Sequence, residues 1–143
     1  MKKLLSFLIL VFLVSVLIGC SGGNGVTPSQ EAEQFVGMWV NEDEDTLSIT
    51  KIDIAKTGNT LRVNMWGKCY PEDCDWGIET TDISDAADGI LNLIWYFDFA
   101  VETQELFLLS DGRLKVVTFT DYNEDDIYNR PDYEYTEYFL KES

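Results

Sequence analysis

Residues 46–67 read TLSITKIDIAKTGNTLRVNMWG, and this stretch decides the fold class. After the Gly58-Asn59 pair, the letters LRVNM alternate between apolar and polar side chains, which indicates a strand that follows a two-residue hairpin turn. Before the pair, the apolar positions change phase near Thr50 and Lys51, which predicts a β-bulge. The stretch therefore predicts a bulged β-hairpin.

The same pattern continues outward over the rest of the chain. Short apolar runs recur between Gly, Asn and Asp residues, without an apolar stripe at the helical period, and Asp111-Gly112 predicts a second two-residue turn. Strands are predicted near 36–41, 46–56, 60–67, 76–82, 89–99, 103–109, 113–120 and 133–140. The sequence therefore predicts an all-β fold, a single antiparallel meander. We favour an eight-stranded barrel, because closure removes exposed edges, over a β-sandwich.

The first twenty residues, MKKLLSFLILVFLVSVLIGC, have the form of a secretory signal: two lysines, an apolar run and a small residue. The letters LIGC at 17–20 resemble the bacterial lipobox, whose cysteine receives acyl chains and becomes the N-terminus. The resemblance implies a lipoprotein signal peptide over 1–19, a lipidated Cys20 and a lipid-anchored protein of the bacterial cell envelope, on a membrane that the sequence does not identify. The alternatives are an ordinary cleaved signal and an uncleaved N-terminal anchor.

Two further segments follow the leader. Residues 20–34 comprise the lipidated N-terminus and a polar stretch with three glycines and one proline, which predicts a flexible tether. Residues 35–143 are predicted to form one β-barrel domain, because the processed chain is long enough for a single core.

The charge of the chain excludes one class of partner. All 26 acidic residues follow Cys20, as do eight of the ten basic ones, so the processed chain has a formal charge of −18. Such a charge repels nucleic acid phosphates and anionic lipid headgroups. We expect no nucleic acid partner, and the membrane contact is expected to come from the lipid on Cys20.

Two cysteines remain, Cys69 and Cys74, in the loop WGKCYPEDCDWG at 66–77. An even number of cysteines left over after lipidation of Cys20 favours a disulfide in an exported chain. Zinc is a rival, although the chain has no histidine to complete the usual ligand set, and free or redox-active thiols are another. We expect the disulfide and no metal or other cofactor.

Aromatic residues give the main indication of ligand binding. Strand alternation places Tyr133 and Tyr135 on one face, and Trp95 and Phe97 on a face opposite Tyr96. These rings either build the core or line a barrel mouth suited to a small apolar or sugar-like ligand. The candidate ligand-binding residues are Trp39, Trp66, Trp76, Trp95, Tyr133 and Tyr135.

The acidic stretch at 121–132 is a candidate calcium loop. Asp121, Asn123, Asp125 and Asp132 follow part of the ligand spacing of such loops, but the turn glycine and the bidentate glutamate are missing. The alternative is a solvated hairpin loop.

Catalysis is the least favoured class. Without histidine, a Ser-His or Cys-His dyad is impossible, and no phosphate-binding or nucleophile-elbow motif occurs. A carboxylate-dependent glycoside hydrolase remains an alternative, with Asp73 and Asp75 as its candidate pair. We assign no catalytic residue.

The letters GMWVN at 37–41, on the first predicted strand, resemble the G-x-W opening of calycin barrels, the lipocalins and avidins. The resemblance implies that Trp39 plugs the closed end of a barrel and that an arginine from late in the chain, Arg113 or Arg130, packs across it. Biotin binding is not implied, because the other avidin motifs are absent.

Four stretches together resemble a small exported bacterial β-domain without an assigned activity. They are WVN at 39–41, TLSITKI at 46–52, the WGKCYPEDCDWG loop and RPDY at 130–133. The resemblance supports one compact domain and gives no role. The expected function is a non-catalytic binding module for a small apolar or sugar-like ligand, and the main alternative is an envelope protein-protein adaptor or inhibitor.

Overall fold

The computed structural model describes residues 27–124 and 126–143. Helix α1 and four strands come first: α1 Pro28–Phe35, β1 Gly37–Asn41, β2 Ile49–Thr57, β3 Thr60–Gly67 and β4 Cys74–Asp82. A 3-10 helix at Ile83–Gly89 leads to β5 Ile90–Tyr96, β6 Ala100–Leu108, β7 Leu114–Tyr122 and β8 Tyr133–Lys141. In the described ranges, no helix has the length and apolarity to cross a membrane. The predicted signal peptide and Cys20 lie outside these ranges.

The eight strands form one antiparallel sheet in the order β4-β3-β2-β1-β8-β7-β6-β5. Strand β1 pairs with both β2 and β8, so the first and last strands of the meander are neighbours. The two edge strands, β4 and β5, are joined by the 3-10 helix and share no strand pairing. The result is a nearly closed barrel, consistent with a calycin-like fold, and the prediction of an all-β meander barrel is confirmed.

The hairpin at 46–67 forms as predicted. Thr57 pairs with Thr60, which leaves Gly58 and Asn59 as the two-residue turn, and Gly58 has a φ of 59°. The pairing register between β2 and β3 shifts between Ile49 and Lys51, as the change of phase predicts. This confirms the bulge.

The second predicted turn, Asp111-Gly112, is wrong in length. The backbone N–H of Leu109 donates to the carbonyl of Arg113, so the loop holds three residues rather than two. Gly112 closes it with a φ of 87° and donates to Leu109. A three-residue hairpin of this kind places a residue with positive φ last, a position that glycine fills without strain.

The predicted tether is wrong for residues 28–34, because α1 covers them. Thr27 Oγ1 accepts the backbone N–H of Gln30, and Gln30 Oε1 accepts that of Thr27, which forms a capping box at the start of the helix. Ala32 and Phe35 are buried against the barrel. Helix α1 therefore belongs to the folded domain.

The end of the barrel that carries α1 and the 3-10 helix is the closed end. Trp39 is only 1% exposed there, and its indole N–H donates to the Phe35 carbonyl at 2.8 Å. The Lys141 ammonium lies 5.1 Å from the Trp39 ring centre and donates to the Gln34 carbonyl at 3.2 Å. Helix, first strand and last strand thus meet at one tryptophan.

The expected arginine does not pack across Trp39. Arg113 lies over Tyr138, and Arg130 lies over Tyr122 at the other end of the barrel. The register explains this, since Trp39 and Lys141 are direct partners in the pairing of β1 with β8. The cation beside the tryptophan is therefore a lysine.

Candidate functional site

Six rings surround the other end of the barrel, which we call the aromatic mouth: Trp76, Phe97, Phe99, Tyr122, Tyr133 and Tyr135. Consecutive ring centres along this series are 5.3 to 6.4 Å apart. Trp76 also meets Trp95 below it, edge to face, at 5.9 Å. The rings come from the mouth ends of β4, β7 and β8 and from the β5–β6 turn, so several elements build one continuous aromatic wall.

The aromatic mouth borders an open cavity of about 230 Å³, which we call the mouth cavity. Trp76, Phe99, Tyr122, Tyr133 and Tyr135 form its aromatic wall, and the β1–β2 loop and the disulfide loop complete it. This volume is below the roughly 300–1,000 Å³ of sites for drug-sized ligands. The cavity therefore suits a small ligand.

The disulfide loop lies at the rim of this cavity. Cys69 and Cys74 are joined, with Cα atoms 5.5 Å apart, so the predicted disulfide is confirmed. Both cysteines line the cavity together with Lys68, whose ammonium lies 4.0 Å from Asp73 Oδ1. While they are linked, the two cysteines offer no thiolate to a zinc ion.

Gly67, at the end of β3, allows Trp76 to take its place in the mouth. A Cβ atom added at Gly67 would lie 2.5 Å from Trp76 Nε1, closer than carbon and nitrogen can approach. The missing side chain therefore lets the indole lie directly over the backbone of the neighbouring strand.

Polar side chains occupy the barrel interior beneath the mouth. Trp95 donates to Gln104 Oε1 at 2.9 Å, and Gln104 Nε2 donates to Thr118 Oγ1 at 3.3 Å. Ser48 Oγ lies 3.0 Å from the Tyr135 hydroxyl. Burial raises the pKa of Tyr135, so the hydroxyl keeps its proton. The floor of the mouth is thus a bonded polar network.

Glu102 is the exception in this network. It lines the mouth cavity and is only 7% exposed. Its Oε1 accepts from Thr120 at 3.3 Å, whereas Oε2 is buried without a hydrogen-bond partner among the described residues. Burial raises its pKa, and the nearby Glu137 carboxylate adds to the effect. An unpaired buried oxygen is costly, so it is a candidate ligand contact.

Glu137 is the second interior acid, and its oxygens are satisfied. Oε1 accepts from Asn41 Nδ2 at 2.9 Å and from Thr46 at 3.0 Å, and Oε2 lies 3.1 Å from Ser48 Oγ. Burial raises the pKa of Glu137, while the three side-chain bonds oppose that shift. We assign Glu137 a structural role, since it ties β8 to β1 and to the β1–β2 loop.

A depression of about 350 Å³ lies beside the β1–β2 loop. Its polar side chains include Asn41, Thr46 and Glu137, which bond one another. In contrast with the mouth cavity, these groups already have partners, so we do not take the depression as the site.

The structure divides the predicted ligand-binding residues into four groups. Trp76, Tyr133 and Tyr135 line the mouth cavity. Trp95 lies beneath it, 2% exposed, and Trp39 is at the closed end. Trp66 is partly buried, with the Lys51 ammonium 4.5 Å from its ring centre, and it does not line the cavity.

The candidate catalytic pair does not lie in the cavity. Asp73 Oδ2 accepts from Thr50 at 2.7 Å. Asp75 Oδ1 accepts from the backbone N–H of Gly77 at 2.8 Å and from Asn64 at 2.7 Å, and these bonds hold its pKa below the ordinary value. Both carboxylates stabilise the disulfide loop and the neighbouring strands.

Two of the candidate calcium ligands, Asn123 and Asp132, are engaged in other contacts. Asp132 Oδ1 accepts the backbone N–H of Tyr122, and Asn123 donates to the Asp98 carbonyl. Asp121 is exposed, and Asp125 lies outside the described residues. In residues 27–124 and 126–143, no group of three or more Cys, Asp or Glu side chains is placed to hold a metal.

Glu102 and Glu137 are the residues that sequence reasoning missed, although alternation could have found them. Glu102 is two residues from Ala100 and four from Leu106, both buried, and Glu137 is two residues from the buried Phe139. An acid in phase with buried residues on a strand faces the interior.

No protein-family model matches this chain, and comparison with curated proteins and with solved structures likewise finds no match.

Proposed function

We propose that this protein is a non-catalytic binding module that holds a small apolar or sugar-like ligand in the mouth cavity. One observation carries the proposal: Glu102 lines a cavity with an aromatic wall, and one of its carboxylate oxygens is buried without a partner among the described residues. A ligand that donates a hydrogen bond to Glu102 would satisfy this oxygen while it packs on the rings.

The wall and the floor of the cavity support different parts of such a ligand. The tyrosine rings at Tyr122, Tyr133 and Tyr135 are stacked in series, and such rings pack well against flat or weakly polar surfaces. The floor offers the carboxylate of Glu102 and the hydroxyl of Tyr135. This combination of a broad apolar wall and few polar groups is typical of small-molecule sites.

The proposed place of action is the bacterial cell envelope, with the protein held on a membrane by acyl chains on Cys20. The leader and its LIGC sequence support this part of the proposal. We expect the Cys20→Ser variant to lose membrane retention when cells are fractionated. Retention equal to that of the wild type would contradict the acyl anchor.

The ligand site is tested with phenol and methyl glucoside as probes. We expect saturation-transfer NMR to detect at least one of them bound to the wild-type protein, and Tyr133→Ala to weaken that binding at least fivefold. Tyr96→Ala is the matched control, because Tyr96 is a strand tyrosine on the outer face of β5, 76% exposed. Equal losses in the two variants, or no binding of either probe, would contradict the proposed site.

A protein-protein adaptor is the second candidate, and one observation favours it. Loops at the mouth end carry large apolar side chains in solvent: Leu47, Tyr70, Ile127 and Tyr128. Exposed apolar groups that lie close together mark contact surfaces. If Tyr70→Ser and Ile127→Ser abolished capture of an envelope protein while probe binding stayed unchanged, the adaptor would be the better account.

A further inference from the structure

The unpaired oxygen of Glu102 indicates which ligands the mouth cavity prefers, and this inference rests on the proposed function. We propose that the mouth cavity selects a ligand with a positively charged amine, which pairs with the Glu102 carboxylate while the rest of the ligand packs on the aromatic mouth. Folding has already removed Glu102 from water, so an arriving cation does not incur that part of the desolvation cost.

The ring faces support a cation as well. The negative face of an aromatic ring attracts ammonium groups within about 6 Å of its centre. Tyr133 and Tyr135 stack at 5.4 Å and line the same cavity as Glu102. An amine there would meet a carboxylate from the floor and ring faces from the wall.

The neighbouring positive charges do not fill this role. Lys68 lines the cavity, and its ammonium is 4.0 Å from Asp73 Oδ1. Arg130 lies over Tyr122, 4.1 Å from that ring centre, and binds Asp126 at 2.7 Å. Each of the two cations therefore has its own acidic partner at the rim.

The other titratable groups around Glu102 favour a cation too. Glu137 on β8 lies near enough to raise the pKa of Glu102 by its charge. Tyr122 and Tyr135 line the same cavity, and burial raises the pKa of each, so both hydroxyls are neutral. The interior thus carries two acids, Glu102 and Glu137, whereas the neighbouring cations Lys68 and Arg130 lie at its rim.

The preference is expected to depend on pH. Burial raises the pKa of Glu102, so as the solution is acidified from neutral pH its carboxyl takes up a proton sooner than that of an exposed glutamate. A primary amine stays protonated throughout this range. Affinity for the amine should therefore rise with pH as Glu102 ionises, while affinity for a neutral ligand of the same shape should not.

The test compares benzylamine with benzyl alcohol, which has the same shape and no charge, on the full chain in 150 mM salt. We expect titration calorimetry at pH 7.5 to give at least tenfold tighter binding of benzylamine, and the ratio to shrink toward pH 5. Glu102→Gln should abolish this difference in affinity between benzylamine and benzyl alcohol. Glu105→Gln should retain it, because Glu105 is on the exposed face of the same strand.

Each outcome decides between the two proposals. Equal binding of both probes, or a ratio that survives in Glu102→Gln, overturns the cation preference and leaves the binding module standing. No binding of phenol or methyl glucoside contradicts the proposed apolar or sugar-like site, and no binding of benzylamine and benzyl alcohol in addition overturns both proposals. If Glu102→Gln fails to fold, the wild type alone decides, because equal binding of benzylamine and benzyl alcohol at pH 7.5 overturns the cation preference.

Discussion

The two ends of this barrel use the same strands and the same alternation, but they differ in what the interior positions hold. At the closed end, α1 and the 3-10 helix cover an apolar interior that includes Trp39, Leu61 and Leu114, all buried. At the mouth end, the interior positions of β6 to β8 hold Glu102, Thr118 and other polar groups. The closed end is packed with apolar side chains, whereas the mouth end borders a cavity that opens to solvent.

This difference separates stability from function. Apolar side chains at the closed end gain free energy by leaving water and do not need specific partners. Polar side chains at the mouth end gain little net free energy and require bonded partners. A barrel that served only as a compact body would gain from apolar residues at both ends. The polar mouth is therefore the part that we connect with ligand binding.

Truncation of the two tryptophans should show the largest contrast. Trp39→Ala removes a fully buried ring and the bond to Phe35, and we expect it to lower the free energy of unfolding by about 3–5 kcal/mol. Trp76→Ala removes a partly buried ring at the mouth, where water can enter the space, and we expect less than half of that loss. Urea unfolding followed by circular dichroism measures both.

If Trp76→Ala lowered the free energy of unfolding as much as Trp39→Ala, the proposed difference between the two ends would be wrong, because the mouth would then be part of the core. Trp66→Ala is the matched control, since this ring is partly buried but lies outside the mouth cavity.

Removal of the disulfide should have an intermediate effect, confined to the mouth. Reduction and the double substitution Cys69→Ser with Cys74→Ser open a loop of a few residues, which should lower the free energy of unfolding by about 2 kcal/mol. We expect amide exchange to accelerate around the mouth cavity and to stay unchanged in α1. Faster exchange in α1 would show that the two ends are coupled.

The smallest effect should be the pH dependence of stability. In the folded state, Glu102 has a pKa above its ordinary value of 4.5, chiefly because it is buried. The stability that Glu102 contributes is complete below pH 4.5, where its carboxyl is protonated in both the folded and the unfolded state. This stability is lost as the pH rises through the pKa of the folded state. The free energy of unfolding should therefore fall as pH rises above 4.5.

The variant Glu102→Gln should show a shallower fall over this range in thermal unfolding from pH 4 to pH 8. Repulsion among the other acids also weakens the fold as pH rises, so Glu105→Gln serves as the control that removes one exposed charge. Identical slopes in the two variants would show that Glu102 does not titrate as described.

The barrel could be predicted from local patterns because alternation and turn residues act within a few positions. The hairpin turn at Gly58 and the bulge at Lys51 both follow from their immediate neighbours. Helix α1 was missed because its apolar face has only Ala32 and Phe35, which become buried through contact with the barrel. The capping signal at Thr27 was present in the sequence but gives no information on burial.

The site was predictable only in part. Tyr133 and Tyr135 could be assigned to one face because they alternate on one strand. The mouth cavity could not be predicted, because it depends on which strand ends and loops meet. Glu102 could not be singled out, because it is one of 26 acidic residues. The cation over the Trp39 ring could not be predicted either, because the pairing of β1 with β8 brings Lys141 beside it.

The most direct test of the account is a titration with phenol followed by the indole N–H signals of the four tryptophans in NMR spectra. These indoles report from the mouth, its floor, the closed end and a position outside the cavity: Trp76, Trp95, Trp39 and Trp66. We predict saturable shifts of Trp76 and smaller ones of Trp95, with the other two signals unchanged. Shifts centred on Trp39 or Trp66, or no saturable shift with either phenol or methyl glucoside, would contradict the assignment of ligand binding to the mouth.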